Sequence, residues 1–108
     1  MSYNIIPTPV FQKDVKNLSK KYHSFKHDII ALKESLIENP AQGTPIGNNC
    51  YKIRMAIASK GKGKSGGARV ITHVHIIKTN IFLLTVYDKS EKGNISDNEI
   101  EKLLAFID

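Results

Sequence analysis

The sequence predicts an α+β fold: an antiparallel sheet with a helical hairpin packed on one face, and a C-terminal helix. Three observations support this prediction: two adjacent apolar stripes at helical spacing, three later segments of β type, and a helix-capping signature near the end. The predicted element order is β-α-α-β-β-β-α. The chain has 108 residues, the usual length of one domain, and residues 1–108 are predicted to form it.

The first third of the chain predicts an edge strand and two helices. Residues 3–7 are apolar and end in a proline, which favours a sheet edge. Thr8 and Pro9 fit the N-cap and the first position of a helix, Ser24 can cap a second helix, and Pro40 ends it. The two apolar stripes are Phe11, Val15, Leu18 and Tyr22, then Phe25, Ile29, Leu32 and Leu36.

The remainder predicts a sheet and a last helix. The predicted segments are a loop at 40–49, a half-buried strand at 51–57, a flexible basic loop at 59–67, a strand at 68–77 and a central strand at 81–87. The central position follows because residues 81–87 are apolar on both faces. Ser96 and Glu99 have the spacing of a capping box, and Ile100, Leu103 and Leu104 give the last helix an apolar face.

The composition points to a polyanionic partner. Sixteen Lys and Arg against ten Asp and Glu leave a formal charge of +6 and a pI near 9.5. Such a surface attracts nucleic acid, although many small proteins are basic without binding it. The lone Cys50 excludes an intramolecular disulfide and is typical of a reducing cytoplasm. No apolar run suggests a signal peptide or a membrane span, so a cytoplasmic protein with no membrane partner is expected.

The basic residues of the β segments are predicted to share one face. Residues two apart in a strand point the same way, which groups Lys52 with Arg54 and Tyr87 with Lys89. Arg69, His73 and His75 group in the same way. If the helices cover Tyr51, Ile53, Met55 and Ile57, the opposite face is open and positive. Ordinary solvated cations, or an Arg69 paired with an acid, are the alternatives.

Other patterns exclude several kinds of site. His73 and His75 have no third ligand placed by the sequence, so no metal is predicted. The glycines around Lys60, Lys62 and Lys64 lack P-loop spacing, and this loop suits contacts to phosphates or a solubilising tip. Cys50 is predicted to be a core residue and not a nucleophile. Glu91 is predicted to form a salt bridge with Lys89 or Lys92 in preference to acting as a base.

Three segments together resemble RelE-type toxins of type II toxin–antitoxin systems, and the longer basic loop is closer to the HigB-like branch. They are 50–54 (Cys-Tyr-Lys-Ile-Arg), 67–71 (Gly-Ala-Arg-Val-Ile) and 83–92 (Leu-Leu-Thr-Val-Tyr-Asp-Lys-Ser-Glu-Lys). The resemblance covers nearly the whole chain. It implies a ribosome-dependent messenger-RNA endoribonuclease that a cognate antitoxin neutralises.

By position, the resemblance implies that Lys52, Arg54 and Arg69 are basic catalytic residues. Lys89 falls where RelE-type toxins have an arginine. The best-known members carry a catalytic tyrosine a few residues later, where this chain reads Lys-Gly-Asn-Ile at 92–95. Tyr87, the only nearby tyrosine, and Glu91 are the candidates to replace it.

For such a nuclease we expect attack by the 2′-hydroxyl that RNA itself carries, which needs no metal or other cofactor. Arg69 would bind the phosphorane oxygens, because guanidinium grips phosphate in a bidentate way. Arg54 would assist it. Lys52 is the candidate for proton transfer, since arginine stays protonated, and Tyr87 would stack on a base or share the proton work. Contacts to ribosomal or messenger RNA are assigned to Lys60, Lys62, Lys64 and Lys92.

Two rival functions remain open. The first is a ParE-like toxin that inhibits DNA gyrase without cleaving RNA. A protein target does not require clustered cations, which argues against it. The second is an RNA- or DNA-binding module without chemistry, because phosphate binding and phosphate cleavage use the same residue types.

Overall fold

The computed structural model describes residues 3–107; Met1, Ser2 and Asp108, at the ends of the predicted domain, lie outside them. The described part has an α+β architecture, as predicted. Its elements are β1 (Asn4–Pro7), α1 (Pro9–Lys21), α2 (Phe25–Glu38), β2 (Thr44–Gly47), β3 (Cys50–Met55), a short 3-10 turn (Ala58–Lys60), β4 (Ala68–His75), β5 (Asn80–Asp88) and α3 (Asp97–Leu104). None of these helices has the length and apolar character of a transmembrane helix.

The helix starts confirm two of three predicted caps. Thr8 accepts a hydrogen bond from the Phe11 amide at 3.3 Å, with Pro9 in the first turn. Ser96 and Glu99 form the predicted capping box. Ser24 precedes α2 but makes no capping bond, because its backbone angles are helical and its hydroxyl donates instead to the Asp28 carboxylate at 2.8 Å.

The five strands form one sheet in the order β1-β5-β4-β3-β2, which confirms β5 as a central strand and β1 as an edge. Strands β3, β4 and β5 are antiparallel, as predicted. Strand β1 departs from the antiparallel pattern and pairs with β5 in parallel. A parallel pair needs a long connection, and residues 8–79 provide it.

The predicted loop at 40–49 contains a strand that the sequence analysis missed. Thr44–Gly47 forms β2 and pairs with β3 at the sheet edge. Pro45 is tolerated there because an edge strand has one side free of ladder hydrogen bonds. Asn48 and Asn49 have φ values of 55° and 58°, the left-handed pair that a two-residue hairpin turn requires.

The core lies mainly between the sheet and the helical hairpin. Ile53, Met55 and Ile57 are buried against α1 and α2, as predicted, whereas Tyr51 is only half-buried. A second cluster lies on the other sheet face beneath α3, so the face predicted to be open is partly covered. Its buried members are Cys50, Ile71, Leu84, Tyr87 and Ile100.

The turn after β4 begins earlier than predicted. Strand β4 ends at His75, and Ile76 and Ile77 are 67% and 93% exposed. Their apolar side chains extended the β pattern in the sequence, but the chain has already left the sheet. Thr79, with φ of 52°, closes the turn into β5.

Candidate functional site

Strand register places three predicted site residues side by side. Arg54 on β3 is opposite Arg69 on β4, and Arg69 is opposite Tyr87 on β5. Directly paired residues on neighbouring strands have adjacent side chains on one sheet face. We call these three residues the cationic row. Arg54 is exposed, whereas Arg69 and Tyr87 are buried.

Two lysines extend the cationic row toward the segment that follows β5. Lys52 lies two residues before Arg54, and its Nζ is 3.4 Å from the side-chain oxygen of Asn94. Lys89 lies two residues after Tyr87 and donates to the Gly93 carbonyl at 2.6 Å. Both ammonium groups therefore reach residues 93–94, within the stretch where the resembling family has its catalytic tyrosine.

The Arg69 guanidinium is occupied by the basic loop. It donates to the carbonyls of Lys64 at 2.9 Å and Ser65 at 3.4 Å, and to the carbonyl of Ala68 at 3.1 Å. Arg69 as a whole is only 7% exposed. These bonds use three of the five guanidinium N–H groups, including both on Nη1, so a phosphate bound through Nη1 and Nη2 has to displace at least one of these carbonyls. The side chain therefore has a preformed position but competing acceptors.

Tyr87 carries a buried hydroxyl that has no hydrogen-bond partner among residues 3–107. Burial raises the pKa of Tyr87; the Arg69 charge opposes this rise and the Glu99 charge adds to it. The phenol is therefore protonated at neutral pH and is a proton donor. A buried donor without an acceptor costs free energy. Such unpaired groups are found where a ligand, an ion or a water supplies the missing partner.

A charged pair between Lys92, which precedes α3, and Glu99 in α3 lies beside Tyr87. Lys92 places its Nζ 5.7 Å from the Tyr87 ring centroid and also pairs with Glu99. Lys92 thus lies beside Tyr87 of the cationic row, and its contact with RNA stays a prediction. Its ion pair is partly exposed and of the kind that contributes little stability, so a phosphate can compete for the ammonium.

The three loop lysines have different environments. Lys62 and Lys64 are exposed. Lys60 points away from solvent, with its side chain 11% exposed and its Nζ 2.7 Å from Asp88 Oδ1. The ion pair forms because Asp88 is buried beside the 3-10 turn that carries Lys60. The structure therefore places Lys60 in an internal salt bridge and not on the RNA-facing surface that the sequence predicted.

Asp88 is a buried acid next to Tyr87 that positions the end of β5, and the sequence analysis missed it. Its carboxylate also accepts from the Tyr22 hydroxyl at 2.5 Å and from the amide and hydroxyl of Ser90 at 3.0 and 2.8 Å. Burial alone would raise the pKa of Asp88, but the hydrogen bonds from Lys60, Tyr22 and Ser90 hold it well below its usual value. The sequence offered one sign of this residue, because Asp88 is an acid at the end of a mostly apolar strand.

Glu91 has a different partner from those predicted. Its carboxylate accepts from Lys21 on α1 at 2.9 Å, and not from Lys89 or Lys92. The salt bridge itself was expected, but the sequence could not show that the end of α1 lies beside the segment after β5. Glu91 is exposed and tied to the helical side of the molecule, away from the cationic row.

Cys50 and the two histidines lie farther along the same sheet face. Cys50 Sγ is 3.7 Å from His73 Nδ1, and the His73 and His75 rings stack with centroids 6.4 Å apart. Burial raises the pKa of the Cys50 thiol to about 11, so it is protonated and not a nucleophile at neutral pH. Within residues 3–107 no group of three or more His, Cys, Asp or Glu side chains could hold a metal.

Comparison with known proteins gives consistent results. The family model described as the RelE toxin of the RelE/RelB toxin–antitoxin system matches residues 8–106. A free-state mutant of the E. coli toxin RelE with two arginines changed to alanine superposes with a TM-score of 0.66 at 16% identity, covering 99% of each chain. Isolated E. coli RelE gives 0.61 at 18% identity, covering 97% of this chain and 99% of that one.

A third structure contains a partner. The RelBE2 toxin–antitoxin complex from Mycobacterium tuberculosis matches with a TM-score of 0.62 at 15% identity, covering 82% of this chain and 99% of that chain. At these identities the structural matches establish the fold alone. The HigB-like placement stays a prediction, since the matches described here carry RelE-type names.

Proposed function

Because the chain belongs to the RelE toxin family, we propose that it is a messenger-RNA endoribonuclease that cuts on the ribosome and stops translation. The observation that carries this proposal is the cationic row, with Lys52 and Lys89 beside it. Two guanidinium groups, two ammonium groups and one phenol share one sheet face. A phosphodiester is the substrate whose charge and hydrogen-bonding needs this combination meets.

The reaction we propose uses the nucleophile that RNA already carries. The 2′-hydroxyl oxygen attacks the adjacent phosphorus, the bond from phosphorus to the 5′-oxygen breaks, and the products are a 2′,3′-cyclic phosphate and a 5′-hydroxyl. The proton of the 2′-hydroxyl must leave, and the 5′-oxygen must gain one. No co-reactant is needed. The protein has to align the attack, stabilise the phosphorane and move two protons.

We assign the residues by chemistry and position. Arg69 and Arg54 would bind the non-bridging oxygens, where charge increases in the transition state. Tyr87 is assigned as the donor to the leaving 5′-oxygen, because its hydroxyl carries a proton that no acceptor among residues 3–107 takes up. Lys52 would take part in proton transfer at the 2′-oxygen. Lys89, Lys92 and the exposed Lys62 and Lys64 would hold the backbone on either side.

Occupation of Arg69 by the basic loop supports a requirement for the ribosome. The carbonyls of Lys64 and Ser65 hold the guanidinium that the reaction needs. Binding of the loop lysines to RNA would move these carbonyls and release Arg69. Ribosomal RNA is a dense array of phosphates that could do this, whereas a short free RNA would hold the loop less firmly.

An antitoxin partner belongs to the same proposal. Since the RelBE2 match is a toxin–antitoxin complex, we propose that a cognate antitoxin binds this chain and prevents cleavage. A segment with carboxylates suits the cationic row, because it would offer Arg54 and Arg69 the acceptors that phosphate offers during cleavage.

Primer extension on a defined messenger RNA in a purified translation system tests the function. Wild-type protein with ribosomes is expected to give cuts inside the reading frame, and omission of ribosomes to abolish them. Arg69→Ala should lower the cleavage rate by about 100- to 1,000-fold, the usual effect of removing a transition-state donor. Lys78→Ala, in the exposed turn between β4 and β5, is the control and should cut like wild type.

The ends of the products test the chemistry separately. A 2′,3′-cyclic phosphate and a 5′-hydroxyl are expected, with no change when a metal chelator is added. Growth arrest without any cuts would overturn the nuclease proposal and favour a ParE-like inhibitor, which a gyrase supercoiling assay would then identify. Tight RNA binding without cleavage would favour a non-catalytic module.

A further inference from the structure

An open groove of about 630 Å³ lies on the helical hairpin, between α1 and the start of α2. Its lysines are Lys16 and Lys20 on α1 and Lys26 on α2, with His23 between the helices. On α1 the lining runs from half-buried Val15, one turn after buried Phe11, to the exposed Lys16 and Lys20. The hairpin covers the sheet face opposite the cationic row, so the sheet separates the groove from the proposed cleavage site.

The charge of this groove has one sign. Every ionisable residue that lines it is basic, and Lys16, Lys20 and Lys26 are all exposed. None of the three forms a salt bridge within residues 3–107, whereas nearby Lys21 pairs with Glu91. Like charges side by side repel one another, and this cost is removed when a polyanion binds.

The spacing and chemistry of the groove fit a nucleic-acid backbone. Lys16 and Lys20 are one helical turn apart, a rise of about 6 Å that can follow successive phosphates along a strand. The exposed side chain of Gln12 adds hydrogen-bonding groups to the lining. Val15 is the only apolar side chain in it, too little to anchor an amphipathic helix of a protein partner, which needs several apolar contacts.

We propose that this groove is a second RNA-binding site, which holds the sugar–phosphate backbone of structured RNA that is not itself cut. The site goes beyond the proposed nuclease function, because it binds RNA whether or not the cationic row cleaves. Lysines suit such a site, since point charges on flexible stems track a backbone without reading its bases. Two cationic surfaces on opposite sides of one sheet let the protein contact two RNA segments at once.

The test is fluorescence anisotropy with a fluorescein-labelled RNA hairpin, titrated at several salt concentrations. The groove variant is Lys16→Gln/Lys20→Gln/Lys26→Gln. Its control is Lys13→Gln/Lys78→Gln/Lys102→Gln, which removes equal charge from exposed positions elsewhere. Glutamine keeps the helix propensity of lysine, and circular dichroism of both variants verifies that they fold.

The groove variant should weaken binding at low salt by tenfold or more. Its slope of log affinity against log salt should fall by about two to three, since each lost phosphate contact removes about 0.7 to 0.9. The control should change this slope by less than about 0.7 to 0.9, which corresponds to one phosphate contact. Equal loss in both variants would overturn the proposal, because net charge alone would then explain binding.

Two further outcomes also decide the proposal. Unchanged RNA affinity in the groove variant would overturn it, and loss of binding to a polyglutamate peptide in that case would assign the groove to an acidic protein. Arg69→Ala in the same titration separates this site from the nuclease proposal. If the groove variant binds RNA more weakly but the wild type cleaves no RNA, only the nuclease proposal is overturned. If the wild type cleaves RNA but the groove variant binds it like wild type, only the groove proposal is overturned.

Discussion

A guanidinium in a crowded site binds whatever acceptors are nearest, and Arg69 binds the carbonyls of Lys64 and Ser65. The same fork geometry that accepts two carbonyls also accepts two phosphate oxygens. Arg69 is therefore held in place before substrate arrives, at the cost of a competitor within its own chain. This arrangement makes the shape of the side chain as important as its charge.

Arg69→Lys tests that distinction. The variant keeps the positive charge but loses the planar fork, so we expect cleavage on the ribosome to fall by about 100-fold or more. Single-turnover primer extension measures the rate. Arg54→Lys is the matched change at the exposed end of the cationic row, and its loss should be smaller, about tenfold. A full rate in Arg69→Lys would show that charge alone suffices there.

The prediction that the Cys50 thiol takes no part in RNA cleavage can be tested directly. Because burial raises its pKa to about 11, the thiol is protonated at neutral pH and its attack on alkylating agents is slow. Cys50→Ala should cleave RNA at the wild-type rate, and iodoacetamide should label the wild type only after denaturation. A loss of cleavage in a folded Cys50→Ala protein would instead bring the thiol and His73 into the mechanism.

Gly67 is required where the basic loop enters β4. A Cβ at this position would lie 2.1 Å from the Met55 carbonyl oxygen and 3.0 Å from the Ala56 Cα, too close for either backbone to remain in place. Gly67→Ala should therefore lower the free energy of unfolding by about 1–3 kcal/mol. Gly93→Ala is the control, since nothing lies within 4 Å of a Cβ there. Urea denaturation compares them, and equal stabilities would contradict the close approach.

Asp88 joins three segments that are distant in sequence. It connects β5 to Tyr22 at the end of α1, to Lys60 in the 3-10 turn, and to Ser90 in the turn that follows. Its neighbours Tyr87 and Lys89 point to the opposite sheet face, at the proposed site. Packing on the helical side thus fixes the position of the strand end that presents two site residues.

Asp88→Asn should lower the free energy of unfolding at pH 7 by about 3 kcal/mol, because Lys60 loses its buried partner. The pKa of Asp88 is lower in the folded protein than in the unfolded chain. Its stabilisation is therefore complete above the unfolded value of about 4 and is lost as pH falls through the folded value. The difference between variant and wild type should accordingly shrink in acid.

Glu91→Gln is the control for Asp88→Asn. Glu91, like Asp88, forms a salt bridge with a lysine, but its salt bridge to Lys21 is exposed. Its removal should change stability by less than about 1 kcal/mol. Urea denaturation at neutral and acidic pH measures both variants. A pH-independent loss in Asp88→Asn would mean that shape, and not the ionised carboxylate, provides the stability.

The sequence predicted the elements that have strong local signals. Helix caps, apolar stripes and the alternation in β3 each involve residues that are close in the chain, and Thr8 and Ser96 behaved as expected. Strand β2 was missed because Pro45 and two flanking glycines are typical of loops. Asn48 and Asn49 between two β-like segments were the usable sign of a hairpin.

The candidate site was predictable in its members but not in their contacts. Alternation along each strand grouped Arg54 with Lys52, and the register then placed Arg54, Arg69 and Tyr87 in one row. The partners of Lys60 and Glu91 are Asp88 and Lys21, which are distant from them in the chain, and no local pattern encodes such contacts. The packing of Ile100 in the same cluster as Tyr87 is likewise a tertiary contact.

The two faces of the sheet are packed unequally. One face is buried beneath two helices of 13 and 14 residues, whereas α3 has eight residues and buries only Ile100. Its remaining contacts come from half-buried Leu103 and Leu104. Less buried apolar area means a smaller free energy for local opening, so α3 is expected to detach before the rest of the molecule unfolds.

Hydrogen exchange measures this difference. Amides at 100–104 in α3 should exchange about tenfold faster or more than amides at 70–72 in β4 and 83–86 in β5, whose protection reflects global unfolding. Ile100→Ala should widen the gap, because it removes the one buried anchor of α3 while leaving the core beneath α1 and α2 intact. Ile100 packs in the same cluster as Tyr87, so opening of α3 is expected to expose more of the Tyr87 side chain, whose hydroxyl has no partner among the described residues. Local opening of α3 would then also admit the substrate. Equal hydrogen-exchange protection of α3 and of strands β4 and β5 would exclude this opening motion.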